Sequence, residues 1–196
     1  MLTKAGVDRI ITIDLHADQI QGFFNVPVDH LFGSAIFAPY IEALKLDNLT
    51  VSAPDMGGSK RANAYSRHLQ AEMVLCYKLR KKPNVVEEMS VIGEVEGRNV
   101  VIIDDMVDTA GTLVLAADMM KEKGAKSIRA FATHPILSGN AVERINNSAI
   151  EELVVTDSVP FNSSSDKIKV LSIAQIFART IQAVTNNSSI STNFVF

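Results

Sequence analysis

The chain has 196 residues, enough for one domain or one domain and part of another, and its 47% hydrophobic and 21% charged residues supply ample material for a core. A net charge of −3 removes any bulk attraction to nucleic acid or anionic membranes. The single cysteine, Cys76, excludes an intrachain disulfide and suggests no zinc cluster, and no apolar run approaches the ~18–20 residues of a membrane span.

The opening stretch, MLTKAGVDRI, lacks a signal-peptide pattern, so a cytoplasmic location is expected. RIITIDL (Arg9–Leu15) is apolar and β-branched and predicts a strand. SAIFAPYIEALKL (Ser34–Leu46) has helical spacing, with Pro39 expected to bend or delay the helix. A strand at Leu49–Pro54, a helix at Ser59–Gln70 and a strand at Met73–Leu79 follow. Asn99–Asp104 predicts a strand, and Thr112–Gly124 a helix with Thr112 as N-cap and Gly124 just past its end. The remaining expectations are a strand at Ser127–His134, a helix at Ala141–Ser148, a strand at Glu152–Thr156 and an amphipathic helix at Ser172–Val184. Strands flanked by helices predict an α/β fold with a parallel-rich sheet and helices on both faces. In such sheets ligands bind beyond the carboxyl ends of the strands, so the functional residues are sought there.

The most apolar strand runs into DDMVDTAGT (Asp104–Thr112). Thr109, Ala110 and Gly111 are small enough for backbone N–H groups to converge, and a helix follows whose N-terminus favours an anion. Asp104 and Asp105 cannot bind phosphate, but they can accept hydrogen bonds from sugar hydroxyls or hold a metal ion. Phosphate in the turn and hydroxyls on the acids together fit a phosphorylated sugar. Read alone, DTAGT also suits a capped strand-to-helix turn with solvated acids.

The apolar run, two acids, two residues and DTAGT resemble the 5-phosphoribosyl-1-pyrophosphate (PRPP) signature, which type I phosphoribosyltransferases share with ribose-phosphate pyrophosphokinases. The other strand ends resemble the pyrophosphokinases. DLHADQIQGFF (Asp14–Phe24) is similar to their segment carrying a histidine on the magnesium and nucleotide side, which implies that role for His16, with Asp14 and Asp29 as weaker metal positions. The family often has an acid where this chain has Asn25. VSAPDMGGSKRA (Val51–Ala62) is similar to a second family motif and implies Asp55 as a magnesium residue. In YKLRKKPN (Tyr77–Asn84), otherwise read as a solvated hairpin tip, Lys78 and Arg80 match a Lys-x-Arg pair that the family carries on a loop closing over the reacting phosphates. Cations there suit diphosphoryl transfer, which builds negative charge on phosphate oxygens. His134 is read as structural.

The resemblance spans nearly the whole chain. It implies a type I phosphoribosyltransferase-like fold and Mg2+-dependent transfer of the β,γ-diphosphoryl group of ATP to the C1 hydroxyl of ribose 5-phosphate. It implies that Asp108, Thr109, Ala110, Gly111 and Thr112 bind the 5-phosphate, Asp104 and Asp105 the ribose hydroxyls, and Arg80 the substrate as well as the transferring group. It implies a homo-oligomer of the family's hexameric kind, with no nucleic-acid or membrane partner. It further implies that residues 1–27 are the remnant of a preceding phosphoribosyltransferase-like domain, 28–184 the C-terminal such domain, and 185–196 a tail, with an N-terminal segment missing. RIITIDL and the apolar tail would then lack partners, which predicts association. A PRPP-consuming phosphoribosyltransferase and a non-catalytic or truncated regulatory relative remain as alternatives.

Overall fold

A computed structural model of the chain describes residues 1–79, 88–162, 164–191 and 194, with the backbone alone for 78, 79 and 88. Seven strands form the main sheet in the order β5-β4-β3-β6-β7-β8-β9. These are β3 (Leu49–Ala53), β4 (Glu72–Leu79), β5 (Glu88–Ile92), β6 (Asn99–Val107), β7 (Ser127–Pro135), β8 (Glu152–Thr156) and β9 (Ile168–Leu171). All pairings are parallel except β4 with β5. A separate pair, β1 (Ile10–Ile13) and β2 (Val28–Leu31), is also parallel.

The alternation of side chains along β6 explains why this strand is central. Val100 and Ile102 join a core with Leu113, Ala116 and Ile128 on one face. Val101 and Ile103 join Phe37, Val51, Tyr65 and Phe131 on the other. All four β6 residues are fully buried, which is why the strand reads as a continuous apolar run rather than an alternating one. Helices α1 (Ser34–Ala43) and α2 (Ser59–His68) supply the second face, and α3 (Gly111–Glu122) and α4 (Ala141–Asn146) the first. A third, smaller core joins Ile13 and Leu31 to Ile176 of α5 (Ala174–Thr185), with Phe194 packed against it. Among the described residues no helix is long and apolar enough to cross a membrane.

Two local expectations are corrected. Pro39 does not delay α1, which begins at Ser34 and contains it; the proline faces solvent while Phe37, Ala38 and Ile41 hold the opposite face in the core. Thr112 is not the N-cap of α3. Ala110 takes that position in the left-handed region (φ 60), and its carbonyl accepts the Val114 N–H, leaving Thr112 in the first turn. Gly124 does follow the helix with φ +90. Strands β2, β5 and β9 were not expected. β9 is a four-residue edge strand whose two central positions, Lys169 and Val170, are exposed, so it is too short to give the long apolar run that marks β6.

Candidate functional site

The carboxyl ends of β1, β3 and β6 open onto a cavity of about 1320 Å3 whose walls include His16, Asp18, Asp55, Arg61, Asp104 and Asp105. The turn after β1 brings His16 across to the end of β6, where its Nδ1 lies 2.8 Å from Asp105 Oδ2. A carboxylate there needs a donor, so Nδ1 carries a hydrogen. The other Asp105 oxygen accepts from Arg61 Nη1 at 2.9 Å, and the same guanidinium nitrogen lies 3.7 Å from Asp104 Oδ1. Asp104 in turn accepts the Asp105 backbone N–H at 2.9 Å. Two adjacent acids on a strand point to opposite faces, and Arg61 in the first turn of α2 reaches both.

The environments split the two acids. Burial, then the neighbouring charge of Asp105, raises the Asp104 carboxyl from its ordinary value to about 7. Burial would raise Asp105 as well, but the His16 hydrogen bond and the Arg61 charge outweigh it and hold Asp105 low. Asp105 is thus the ionised anchor of the pair.

Asp55 leaves β3 at a 3-10 turn (Met56–Gly58) and accepts the Gly57 N–H at 2.9 Å on one oxygen. Its second oxygen has no protein partner among the described residues. No group of three or more His, Cys, Asp or Glu converges among the described residues. Magnesium does not require such a cage, because it keeps several waters and is held by one or two carboxylates together with substrate phosphates. The residues present fit that mode with Asp55 as the carboxylate; His16 lines the same cavity, its ring oriented by Asp105.

Asp108, Thr109, Ala110, Gly111 and Thr112 form the loop beyond β6 and the start of α3. It is braced from outside. Ser138 Oγ donates to the Asp108 carboxylate, Ser138 N–H to the Asp108 carbonyl, and Arg144 Nη1 to the Thr109 carbonyl at 3.0 Å. Neither brace was anticipated as a contact: Ser138 and Arg144 lie 30 and 35 residues downstream of their partners, and nothing in their own segments ties them to this loop. Arg61 was likewise seen only as part of a helix start; its place three residues after the double glycine could have marked it as facing the strand ends.

Asp14 and Asp29 are placed differently from the other acids. Asp14 is buried, and its Oδ2 accepts the Gly33 N–H at 3.0 Å and the Thr133 hydroxyl. A Cβ on Gly33 would lie 2.6 Å from that oxygen, so only glycine permits the approach. Asp29 forms a two-pronged pair with Arg9 at 2.5 and 2.9 Å and is not among the residues that line the cavity. His134 braces the same region, with Nε2 3.1 Å from the carbonyls of Ile13 and Asp14. His30 beside it has a pKa lowered chiefly by burial, against the attraction of Asp18 and Asp14. Arg80 and the neighbouring Lys81 and Lys82 lie outside the described residues, as does the side chain of Lys78, whose backbone pairs with Met89 in β5.

Residues 51–195 match the family model described as the phosphoribosyl synthetase-associated domain. The chain belongs to this family. The whole chain is 50% identical over 197 residues to the ribose-phosphate pyrophosphokinase of Porphyromonas gingivalis and 47% identical over 195 residues to that of Wolinella succinogenes, covering 63% of each. The crystal structure of phosphoribosylpyrophosphate synthetase from Mycobacterium smegmatis superposes with a TM-score of 0.87 at 35% identity, over 95% of this chain and 62% of that one. The chain therefore spans about three fifths of the length of these relatives. The family shares this chain's architecture, a mostly parallel sheet with flanking helices.

Proposed function

We propose that the chain is part of a ribose-phosphate diphosphokinase, which transfers the β,γ-diphosphoryl group of ATP to the C1 hydroxyl of ribose 5-phosphate and yields PRPP and AMP for nucleotide biosynthesis. The observation that carries this reading is the joining of His16, Arg61, Asp104 and Asp105 at one strand end, next to a braced loop at a helix N-terminus. The loop, Asp108–Thr112, takes the 5-phosphate on backbone N–H groups and the positive end of α3. Asp104 and Asp105 face the ribose hydroxyls. A protonated Asp104 can donate as well as accept, whereas ionised Asp105 only accepts. His16 and Asp55 serve the magnesium and ATP phosphates; bound there, Mg2+ neutralises phosphate charge. Lys78 and Arg80 stabilise the transferring group. The rate gain then comes from placing the C1 hydroxyl against the phosphate and from fixed charge, as in other phosphoryl transfers.

The same reading makes residues 1–27 part of a preceding phosphoribosyltransferase-like domain, 28–184 the C-terminal one and 185–196 a tail. Strands β1 and β2 pair across the first of these divisions. A cytoplasmic homo-oligomer of the hexameric kind goes with it.

The test is calorimetric titration of the chain with ribose 5-phosphate and with ribose. Ribose 5-phosphate is expected to bind at least about 100-fold more tightly, since charge-assisted hydrogen bonds to the phosphate carry the affinity. Equal binding of the two sugars overturns the loop assignment. Incubation with ATP, Mg2+ and ribose 5-phosphate should then give AMP and PRPP in equal amounts. Base-dependent release of pyrophosphate from PRPP would instead identify a phosphoribosyltransferase.

A further inference from the structure

The turn that delivers His16 is strained and held from two sides. Asp14 sits at φ 40, in the left-handed region that a residue with a Cβ enters only at a cost. His134 holds the carbonyls on either side of that point, and Gly33 and Thr133 hold the Asp14 carboxylate. The next residue, Leu15, directs its backbone N–H at His30 Nε2, 3.0 Å away. The His30 side chain is 7% exposed and rests against Phe32, with ring centroids 4.7 Å apart.

We propose that His30 is a positioning residue: its bare Nε2 accepts the Leu15 N–H and thereby fixes the turn that sets His16 over Asp105. The hydrogen-bond inventory decides the state of the ring. A donor faces Nε2, so that nitrogen has no hydrogen, and a neutral imidazole then carries its hydrogen on Nδ1. Gln21 Nε2 lies 3.2 Å from Nδ1 but cannot donate to a protonated nitrogen; it donates instead to the Asp18 carbonyl at 3.1 Å. The Asp18 carboxylate, 3.7 Å from Nδ1, is too far to accept a hydrogen bond, but its charge favours a hydrogen on that nitrogen. His134 is the reverse case. Its Nε2 faces two carbonyls and must carry a hydrogen. The two histidines that flank the turn are therefore of opposite hydrogen placement, and an apolar ring at position 30 could fill the space but not hold Leu15.

The consequence for catalysis rests on the role proposed above for His16; the contact itself does not. Long-range 1H–15N correlation spectra of the labelled chain read the ring nitrogens of its four histidines directly. His30 is expected with hydrogen on Nδ1 and a bare Nε2, and His134 with hydrogen on Nε2. In the same sample the Leu15 amide should be protected from exchange. His30→Phe should speed that exchange about tenfold, as for loss of one buried hydrogen bond, and His30→Gln, which offers an oxygen near the Nε2 position, should restore it. A hydrogen on Nε2 of His30 in the unaltered chain overturns the proposal whether or not either variant folds, and so does unchanged Leu15 exchange in His30→Phe. If the contact holds, Mg2+–ATP titration of His30→Phe tests His16 separately: unchanged affinity would then count against the phosphate-side role of His16 and leave the positioning contact standing.

Discussion

Asp104 and Asp105 sit in a web of charges drawn from three separate segments, whereas four residues later the 108–112 loop offers mainly backbone. Asp105 already has both oxygens occupied, by His16 and Arg61, before any ligand arrives. The loop has its outer side braced by Ser138 and Arg144, and Asp108 and Thr109 are exposed. The difference shows two ways of preparing for a polar ligand. The web stores electrostatic cost in the ligand-free protein, so stability and function are coupled there. The loop is shaped by distant residues and can bind without disturbing what holds it.

Breaking the web should therefore have the largest effect. Asp105→Ala removes the anchor of both His16 and Arg61 and leaves a guanidinium, 24% exposed, with Asp104 at 3.7 Å. The expected loss is about 3 kcal/mol in urea unfolding, the scale for stripping one partner from a largely buried pair. Asp108→Ala, on an exposed residue, should lose less than about 1 kcal/mol. Equal losses would erase the distinction between the two regions.

Asp104 gives a pH signature that sharpens it. Its carboxyl is raised to about 7 in the folded chain, against about 4 when unfolded. Between these values the folded state binds the extra proton, so stability falls as pH rises, with the full penalty present above the folded value. The difference between the wild-type chain and Asp104→Asn should change by about 2–4 kcal/mol between pH 4 and pH 8, with the asparagine variant gaining relative stability at the alkaline end. Asp105, held low, contributes the opposite slope below about pH 4. A difference that does not vary with pH would mean that Asp104 is an ordinary solvated acid.

How much of this was legible in the sequence depends on distance along the chain. The β6 strand end announces itself because strand, acids, turn and helix are contiguous, and the same holds for Asp55 before Gly57 and Gly58. His16 was legible as a site residue through a long local match. What joins these segments was not legible. That Arg61 bridges both acids, that His30 and His134 grip the turn from opposite sides, and that Arg144 reaches the loop all depend on tertiary register. Single polar residues on helices or short strands carry no periodic signal that would reveal it. Asp29 shows the converse: next to a motif it reads as a metal position, yet its oxygens are engaged by Arg9, twenty residues earlier.

Arg144 offers the smallest perturbation and the most selective. Its guanidinium donates to the Thr109 carbonyl and lies 3.5 Å from where a Cβ of Gly111 would be, so it supports the loop while placing positive charge beside it. The bond is exposed, so Arg144→Ala should change unfolding stability by less than about 0.5 kcal/mol. The loop carbonyl is nevertheless released, and the nearby charge is lost. Ribose 5-phosphate affinity should fall about two- to fivefold, the equivalent of one modest hydrogen bond, while ribose affinity stays unchanged. Arg144→Lys keeps the charge but lacks the planar fork that reaches the carbonyl at this geometry, so it separates the two contributions. Recovery in the lysine variant would assign the effect to charge near the phosphate. Failure to recover would assign it to the shape of the loop, which is the outcome expected if this half of the strand end works through backbone geometry.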